Sequence, residues 1–196
     1  NRSNKHIDWL TESYNNVKGQ TIDLTAVFKS IEKNFPSDIQ DDLSMANTRA
    51  RLRMTLLYNA AGNKKMLVAG TGNKVEDFGV GFYTKYGDGG VDLSPIADLY
   101  KSEVFALARE LGVIEEILNA APTDGLWGDD RTDEDQIGAS YNELEWAMEY
   151  LRMDKDLSSL TGREAEVMKL YQRLNRVNKH KMNPIPVCEL PDSLRE

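Results

Sequence analysis

A glycine-rich loop that follows an apolar segment is the feature that most restricts what this chain can fold into. Residues 82–92 read Phe-Tyr-Thr-Lys-Tyr-Gly-Asp-Gly-Gly-Val-Asp, so three glycines lie beside one lysine and two aspartates. Glycine lets backbone N–H groups approach an anion closely, and the lysine adds a mobile positive charge. The loop therefore predicts a site for a phosphorylated ligand, and an ordinary surface turn is the alternative.

The composition indicates one globular domain with a substantial core, because 40% of the 196 residues are hydrophobic. Thirty-two acidic and 24 basic side chains give a net charge of −8, which opposes broad binding to nucleic acid or to an anionic membrane. We therefore expect small molecules or proteins as partners. The single cysteine, Cys188, excludes an intrachain disulfide framework and fits a reducing compartment.

The sequence contains no apolar run long enough to span a bilayer and no segment that resembles a cleavable signal. A soluble, cytoplasmic protein is therefore expected. Because residue 1 is asparagine and residues 1–16 already have a helical pattern, we also expect the chain to be part of a longer polypeptide.

Apolar spacing, capping residues and helix-ending residues predict six helices. They cover residues 3–14, 27–35, 44–61, 98–111, 140–151 and 161–177. Pro36, Gly62 and Gly112 are the expected ends of the second, third and fourth helices, and Asp98 is the expected cap of the fourth. Ser140 with Glu143, and Thr161 with Glu164, have the spacing of capping boxes. Residues 179–196 contain three prolines and are expected to be mostly irregular.

Two short apolar runs, residues 20–24 and 66–69, predict strands. The second run is followed at once by Gly70-Thr71-Gly72-Asn73. In open parallel sheets the ligand crevice lies outside the carboxyl ends of the strands, so the loop starts where a ligand site is expected. Helix and strand alternate in the first half and only helices follow. The prediction is an α/β fold with a Rossmann-like parallel sheet flanked by helices and a helical C-terminal portion.

Several motifs in order resemble ammonia-utilising NAD synthetase, a member of the ATP-pyrophosphatase group. They are Ala50-Arg51-Leu52-Arg53-Met54, the turn Ala69–Asn73 followed by Glu76, the loop at residues 82–92 and the pair His180-Lys181. The resemblance covers nearly the whole chain, and it implies that residues 1–196 form a single domain of the ATP-pyrophosphatase type that lacks its N-terminal part.

The resemblance also implies the chemistry. The family joins ATP to the nicotinate carboxylate of deamido-NAD, releases pyrophosphate and lets ammonia displace AMP. Because two anions must meet, the resemblance implies Mg²⁺ and cationic side chains around the triphosphate. It also implies a homodimer. The glutaminase domain of some relatives does not occur in these residues, which favours free ammonia as the nitrogen donor.

Four residues match the family's metal and ATP positions. Glu76 matches the magnesium ligand, and Thr71, Lys101 and Thr123 match ATP-binding residues. Lys101 also lies near a predicted helix start, which adds the positive end of the helix dipole. The alternatives are a solvated charge on the turn for Glu76, a solvated helix face for Lys101 and helix capping before the Asp124-Gly125 turn for Thr123. The family's Ser-Gly-Gly-x-Asp-Ser loop does not occur in the sequence and is expected to precede Asn1. Catalytic residues are therefore not assigned.

Five residues match the family's deamido-NAD positions: Arg51, Lys85, Asp92, His180 and Lys181. Arg51 and Lys85 supply positive charge for a pyrophosphate or carboxylate, and Asp92 can accept hydrogen bonds from ribose hydroxyls. The alternative for Arg51 is a solvated helix face. The alternative for His180 and Lys181 is an interaction with the C-terminal dipole of the long helix that they are predicted to follow.

Two other functions remain open at this point. One is a different ATP-pyrophosphatase that amidates another carboxylate, in which case Lys85, Asp92 and His180-Lys181 would not face a dinucleotide. The other is a nucleotide-binding protein without catalytic activity, which keeps the substrate loop but lacks the activating loop.

Overall fold

A computed structural model describes residues 2–123, 125–127, 129 and 131–195 of the chain. Its α-helices are α1 Arg2–Ser13, α2 Thr25–Asn34, α3 Asp42–Lys64, α4 Lys101–Glu110, α5 Glu115–Leu118, α6 Asp133–Ile137, α7 Tyr141–Arg152 and α8 Gly162–Met182. A π-helix, Val75–Val80, lies between α3 and α4, and 3₁₀ turns cover Ser37–Ile39, Leu157–Ser159 and Asp192–Leu194. Within the described ranges, no helix combines the length and the apolar character needed to cross a membrane.

All six predicted helices are present, and the short helices α5 and α6 were not predicted. The predicted helix boundaries agree best with the structure where a proline or a capping box marks them. Helix α2 ends at Asn34, just before Pro36. The capping box of α7 forms, with the Ser140 N–H donating to Glu143 at 2.8 Å and the Glu143 N–H donating to the Ser140 hydroxyl at 3.2 Å.

The predicted parallel sheet is not confirmed in the described part of the chain. Residues 20–24 form no strand, and residues 66–69 contribute one isolated parallel bridge between Ala69 and Leu93. Around it the Gly70 N–H donates to the Leu93 carbonyl at 2.7 Å, and the Asp92 N–H donates to the Val68 carbonyl at 2.9 Å. A strand needs neighbours for its N–H and C=O groups, so an apolar run alone does not become one.

Two helix ends lie further along the chain than the sequence predicts. Helix α3 continues through Gly62, and Lys65 ends it in a left-handed conformation with φ 54°. Helix α8 continues to Met182, so His180 and Lys181 lie in its last turn and do not follow it. The predicted Thr161 cap does not form, because Gly162 enters the helix with φ +53° and Thr161 makes no side-chain cap hydrogen bond.

Helix α4 begins at Lys101, three residues after the predicted cap. Tyr100 is the N-cap residue, and its N–H donates to Glu103 Oε2 at 2.7 Å. Asp98 instead forms an exposed ion pair with Lys74 at 3.1 Å. The Glu103 carboxylate, in the first turn of the helix, therefore takes the capping role that was predicted for Asp98.

The core lies between the π-helix, α7 and α8. Its buried members are Val75, Val80, Ile137, Ala139, Tyr141, Leu144, Ala147, Val167, Met168 and Tyr171. The packing is close where α7 meets the π-helix, since a Cβ at Gly79 would lie 2.8 Å from the sulfur of Met148. This core fixes the position of the π-helix, which carries Glu76.

Candidate active site

The four residues predicted to bind ATP and metal line one cavity of about 450 Å³. They are Thr71, Glu76, Lys101 and Thr123. Gly87 and Gly90 of the glycine-rich loop line the same cavity, together with residues of α3. The acidic turn and the glycine-rich loop therefore meet at a common cleft.

Asn73 fixes the entry into the π-helix. It is 1% exposed, and its Oδ1 accepts hydrogen bonds from the N–H groups of Val75 at 2.9 Å and Glu76 at 3.2 Å. π-helical turns are rare and occur frequently at functional sites. In the sequence Asn73 is the last residue of the Gly70–Asn73 turn, and asparagine before a helix is a capping signal that could have identified its role.

Glu76 is held by a lysine and a tyrosine from two other helices. Lys101 Nζ, from the first residue of α4, lies 2.8 Å from Glu76 Oε1. The hydroxyl of Tyr141, the first residue of α7, donates to the same oxygen at 2.6 Å. Within the described residues, no hydrogen bond reaches Glu76 Oε2. That oxygen is the one left to contact a ligand.

Tyr141 and Asp133 are site residues that the sequence analysis missed. Asp133 is 7% exposed and lines the same cavity, and its Oδ2 lies 3.2 Å from the Tyr141 hydroxyl. Burial raises the pKa of Tyr141, and the Glu76 and Asp133 carboxylates raise it further, so the phenol stays protonated and can donate. In the sequence, Tyr141 is the first residue of an apolar helical stripe, and this pattern predicts only that it is a core residue.

Glu145 contacts the first turn of α4, and a role of the helix dipole in phosphate binding at Lys101 stays a prediction. The Ser102 N–H donates to Glu145 Oε1 at 2.9 Å, and the Ser102 hydroxyl donates to Glu145 Oε2 at 2.6 Å. A protein carboxylate thus occupies the end of the helix where a phosphate would bind. Lys101 acts through its ammonium group, which also lies 4.7 Å from the centre of the Tyr141 ring.

The glycine-rich loop uses backbone N–H groups within itself. Those of Gly87 and Gly89 donate to the Thr84 carbonyl at 2.9 and 3.3 Å, and that of Gly90 donates to the Gly87 carbonyl at 3.0 Å. These three N–H groups therefore have partners within the loop, as the turn alternative describes, and binding of a phosphate by the loop stays a prediction. Gly87 and Gly90 of the loop line the 450 Å³ cavity and therefore contribute to its shape.

Three of the residues predicted for deamido-NAD connect this loop to its neighbours. Lys85 Nζ donates to the His180 carbonyl at 2.5 Å, which joins the loop to the end of α8. Arg51 Nε, from α3, donates to the Lys85 carbonyl at 3.3 Å. None of the three lines the 450 Å³ cavity in the described part of the chain.

Lys181, the fourth of these residues, lies beneath the loop. Its ammonium donates to the Gly81 and Tyr83 carbonyls at 2.8 Å each. Burial lowers the pKa of Lys181, and Asp88 opposes this effect. Lys181 lines a second cavity of about 410 Å³, which shares Phe82, Asp88 and Leu126 with the first.

Asp92, the fifth residue, supports the backbone. Its Oδ2 accepts the Val68 N–H at 2.8 Å, and its Oδ1 accepts the Tyr58 hydroxyl at 3.0 Å. Both oxygens of the carboxylate therefore have a protein partner, and Asp92 joins α3 to the segment that precedes Gly70.

A pair of aspartates next to Glu76 was not assigned from the sequence. Asp77 and Asp88 line a cavity of about 180 Å³ with Tyr83 and Lys181. Burial, followed by repulsion from Glu76 and Asp88, raises the pKa of Asp77 to about 6. Burial also raises the pKa of Asp88, although the Thr84 N–H and Lys181 act in the opposite direction.

The main cavity thus combines an ammonium group, carboxylates and threonine hydroxyls, a set typical of enzymes that act on nucleotides. Residues 3–185 match the protein-family model for NAD synthase. The chain belongs to the NAD synthase family, as the motifs predicted.

Individual relatives agree with the family. The NH(3)-dependent NAD(+) synthetase of Methanosarcina acetivorans is 37% identical over 187 residues, which cover 93% of this chain and 70% of that protein. The enzyme of the same name from Carboxydothermus hydrogenoformans is 42% identical over 157 residues, which cover 80% of this chain and 59% of that protein. These relatives confirm the enzyme class predicted from the motifs, a ligase.

Two solved structures resemble the fold. The NMN synthetase from Francisella tularensis has a TM-score of 0.77 at 28% identity, over 96% of this chain and 72% of its own. The NH3-dependent NAD synthetase from Campylobacter jejuni has a TM-score of 0.68 at 27% identity, over 89% of this chain and 67% of its own. The described helices therefore have the arrangement found in these synthetases.

Proposed function

We propose that this chain carries the synthetase site of an ammonia-dependent NAD synthetase. In the proposed reaction, a carboxylate oxygen of the nicotinate group of deamido-NAD attacks the α-phosphorus of ATP, and pyrophosphate leaves. Ammonia then attacks the carbonyl carbon of the adenylate, the bond to AMP breaks, and the amide of NAD forms with loss of a proton. The relatives named NH(3)-dependent NAD(+) synthetase support this function.

The observation that carries the proposal is the contact between Glu76 and Lys101 in a cavity that Thr71 and Thr123 also line. An ammonium group and two hydroxyls can bind phosphate oxygens. Glu76 holds Lys101 in place, so the charge is already positioned before ATP binds.

Magnesium is part of the same proposal, and the donor set fits it. Glu76 and Asp133 bring carboxylate oxygens to one cavity, and Mg²⁺ prefers oxygen ligands. Within the described residues, no group of three or more His, Cys, Asp or Glu side chains could hold a metal. This agrees with a metal held by one or two carboxylates and by the phosphates of its nucleotide. Bound Mg²⁺ supplies charge neutralisation for the triphosphate, and we assign Glu76 Oε2 to hold it.

Deamido-NAD is proposed to bind against the glycine-rich loop. Arg51, Lys85 and Lys181 donate to backbone carbonyls in and next to the loop and at His180, and Lys181 also lines the second cavity. Lys85 now donates to the His180 carbonyl, so binding of an anionic substrate exchanges a neutral acceptor for a negatively charged one. Asp92 keeps lone pairs for ribose hydroxyls while it supports the backbone.

The remaining parts of the proposal concern the whole protein. We infer one domain over residues 1–196, a parallel sheet of which the Ala69–Leu93 bridge is a part, a cytoplasmic location and a homodimer. Large apolar side chains such as Met66 and Leu67 are 64% and 68% exposed, which supports further burial in an assembly. Light scattering of the purified complete protein tests the homodimer, and a monomer at micromolar concentration would contradict it.

The direct test incubates the complete protein with ATP, MgCl₂, ammonium and deamido-NAD, and follows NAD and pyrophosphate by chromatography. One NAD is expected for each pyrophosphate. No NAD above background would contradict the proposal. A parallel reaction with nicotinate mononucleotide tests synthesis of NMN, which the likeness to the Francisella tularensis enzyme makes the competing function. A higher kcat/KM with the mononucleotide would transfer the assignment to that reaction.

Two variants test whether Glu76 serves binding of Mg·ATP and Lys85 serves binding of deamido-NAD. Glu76→Gln keeps the size of the side chain but removes its charge, and we expect kcat/KM for Mg·ATP to fall by about 100-fold. Lys85→Met is expected to raise KM for deamido-NAD and to leave KM for Mg·ATP unchanged. Glu110→Gln, at the other end of α4 on an exposed surface, is the matched control. Wild-type kinetics in both site variants would refute the assignment.

A further inference from the structure

One side of α7 contacts the two charged residues of the candidate active site, Glu76 and Lys101. It contacts the Glu76 side chain directly and Lys101 through the backbone of the next residue, Ser102. Tyr141, Glu145 and Glu149 are spaced four residues apart and therefore lie along one side of the helix. Tyr141 contacts Glu76, Glu145 contacts Ser102 beside Lys101, and Glu149 accepts a hydrogen bond from the Tyr100 hydroxyl. These contacts link three chain segments that are far apart in the sequence.

The contact from Tyr141 orients the Glu76 carboxylate. The phenol donates to Oε1 at 2.6 Å, and Lys101 approaches the same oxygen at 2.8 Å. With both contacts on one oxygen, rotation of the carboxylate is restricted and Oε2 is directed away from them. The ring of Tyr141 is part of the core, so the donor itself cannot move far.

The contact from Glu145 orients Lys101. Its two oxygens accept the N–H and the hydroxyl of Ser102, which fixes the first turn of α4 against α7. Lys101 is the preceding residue, and its ammonium lies between Glu76 and the Tyr141 ring. The helix that orients the carboxylate thus also orients the ammonium.

We propose that Tyr141 and Glu145 are positioning residues for the reaction, through which α7 sets the geometry of Glu76 and Lys101. Tyr141 holds the Glu76 carboxylate so that one oxygen faces the metal-nucleotide, and Glu145 holds the α4 turn that aims Lys101 at the phosphates. The inference rests on the proposed function, because it takes Glu76 as a metal ligand.

A purely structural role predicts a different outcome. If Tyr141 only fills the core, removing its hydroxyl changes stability and leaves metal affinity unchanged. If it positions Glu76, the loss appears in binding of the metal-nucleotide in a protein that is still folded. Groups that orient metal ligands typically change affinity or activity by about 10-fold to 100-fold when removed.

The main experiment uses Tyr141→Phe in the complete protein, because this change removes one oxygen and keeps the ring. Mn²⁺ replaces Mg²⁺ as a paramagnetic probe, and its free concentration is measured by electron paramagnetic resonance in the presence of a non-hydrolysable ATP analogue. We expect Kd for Mn²⁺ to rise by about 10-fold or more. In steady-state assays KM for Mg·ATP rises and KM for deamido-NAD stays unchanged.

Tyr150→Phe is the matched control on the same helix, because the Tyr150 hydroxyl donates to the Asp156 carbonyl at 2.8 Å, outside the site. Wild-type Mn²⁺ affinity and wild-type KM for Mg·ATP in folded Tyr141→Phe would overturn the role of Tyr141. The Mn²⁺ measurement needs no turnover. It therefore decides this inference even if the complete protein makes no NAD, an outcome that would refute the proposed function separately.

Glu145 gives an independent test if Tyr141→Phe does not fold. Glu145→Ala is expected to raise KM for Mg·ATP by about 10-fold, because a small displacement of a positioned group has large effects. Glu145→Gln retains an acceptor for the Ser102 N–H and is expected to restore most of the affinity. Equal KM for Mg·ATP in Glu145→Ala and wild type would overturn the role of Glu145.

Discussion

Gly72 provides a quantitative test of the turn that leads to Glu76, because the Asp77 carboxylate lies directly over its Cα. A Cβ built at Gly72 would lie 2.2 and 2.3 Å from the two Asp77 oxygens and 2.5 Å from Asp77 Cγ. Ordinary contacts of this kind are 3.4–4 Å, so Gly72→Ala forces the carboxylate to move by more than 1 Å. The backbone is not the obstacle, since Gly72 is absent from the glycines with positive φ.

The magnitude follows from what surrounds Asp77. The side chain is partly buried and lines the 180 Å³ cavity with Asp88, so a displaced carboxylate has to enter that cavity next to the like charge of Asp88. Overpacking of this kind costs about 1–3 kcal/mol, and we expect Gly72→Ala to lower the free energy of unfolding by about 2 kcal/mol. In an Asp77→Ala background the clash is gone. There we expect Gly72→Ala to stabilise the protein by about 0.4–1 kcal/mol, because alanine restricts the unfolded chain.

Urea unfolding of wild type, both single variants and the double variant at pH 7.5 measures the coupling energy of this cycle. We expect a coupling energy of about 2–3 kcal/mol. Gly62→Ala is the control, since Gly62 lies within α3 and a Cβ there meets nothing within 4 Å. That change should stabilise the protein by about 1 kcal/mol. Additivity of Gly72→Ala and Asp77→Ala within about 0.5 kcal/mol would refute the steric argument.

Two further variants test the same region. The raised pKa of Asp77, about 6 against 3.8 in the unfolded chain, means that the native state favours the protonated form. Its contribution to stability is therefore present below pH 3.8 and is lost as the pH rises through 6. Asp77→Asn should stabilise the protein at pH 7.5 relative to pH 4, by about 1 kcal/mol after solvent screening, and equal urea midpoint shifts at the two pH values would contradict this. Asn73→Ala leaves the Val75 and Glu76 N–H groups without their acceptor and should lower the free energy of unfolding by about 1–2 kcal/mol, whereas an unchanged urea midpoint would show that the cap is dispensable.

Features encoded by neighbouring residues were predictable from the sequence. The Ser140–Glu143 box and the stop at Pro36 each depend on residues within one helical turn, and both appear as expected. The ends of α3 and α8 were predicted too early. Lys65, and not Gly62, takes the left-handed conformation that ends α3, and α8 continues to Met182, with Lys181 in its last turn donating to the Gly81 and Tyr83 carbonyls. Strands at residues 20–24 and 66–69 depend on partners, which local apolar character does not supply.

In the candidate site, too, some features were predictable from the sequence and others were not. Motif resemblance located Glu76, Lys101, Thr71 and Thr123, and the structure brings these four to one cavity. Motif resemblance could not show that Glu145, 43 residues from Ser102, accepts the Ser102 N–H at the start of α4. Nor could it assign the Tyr141 hydroxyl to Glu76, 65 residues away, because a tyrosine in an apolar stripe has the same pattern whichever group its hydroxyl contacts.

The dependence of the site on α7 follows from helix geometry. Leu144 and Ala147 are fully buried in the core, and Gly79 of the π-helix packs closely on Met148 of the same helix. Each residue of an α-helix advances 1.5 Å and turns by about 100°. A shift of α7 by one residue would therefore move the Tyr141 hydroxyl off Glu76 and Glu145 off Ser102 together. Core packing against the π-helix sets the register of α7, and that register fixes the position of both charged groups in the candidate active site.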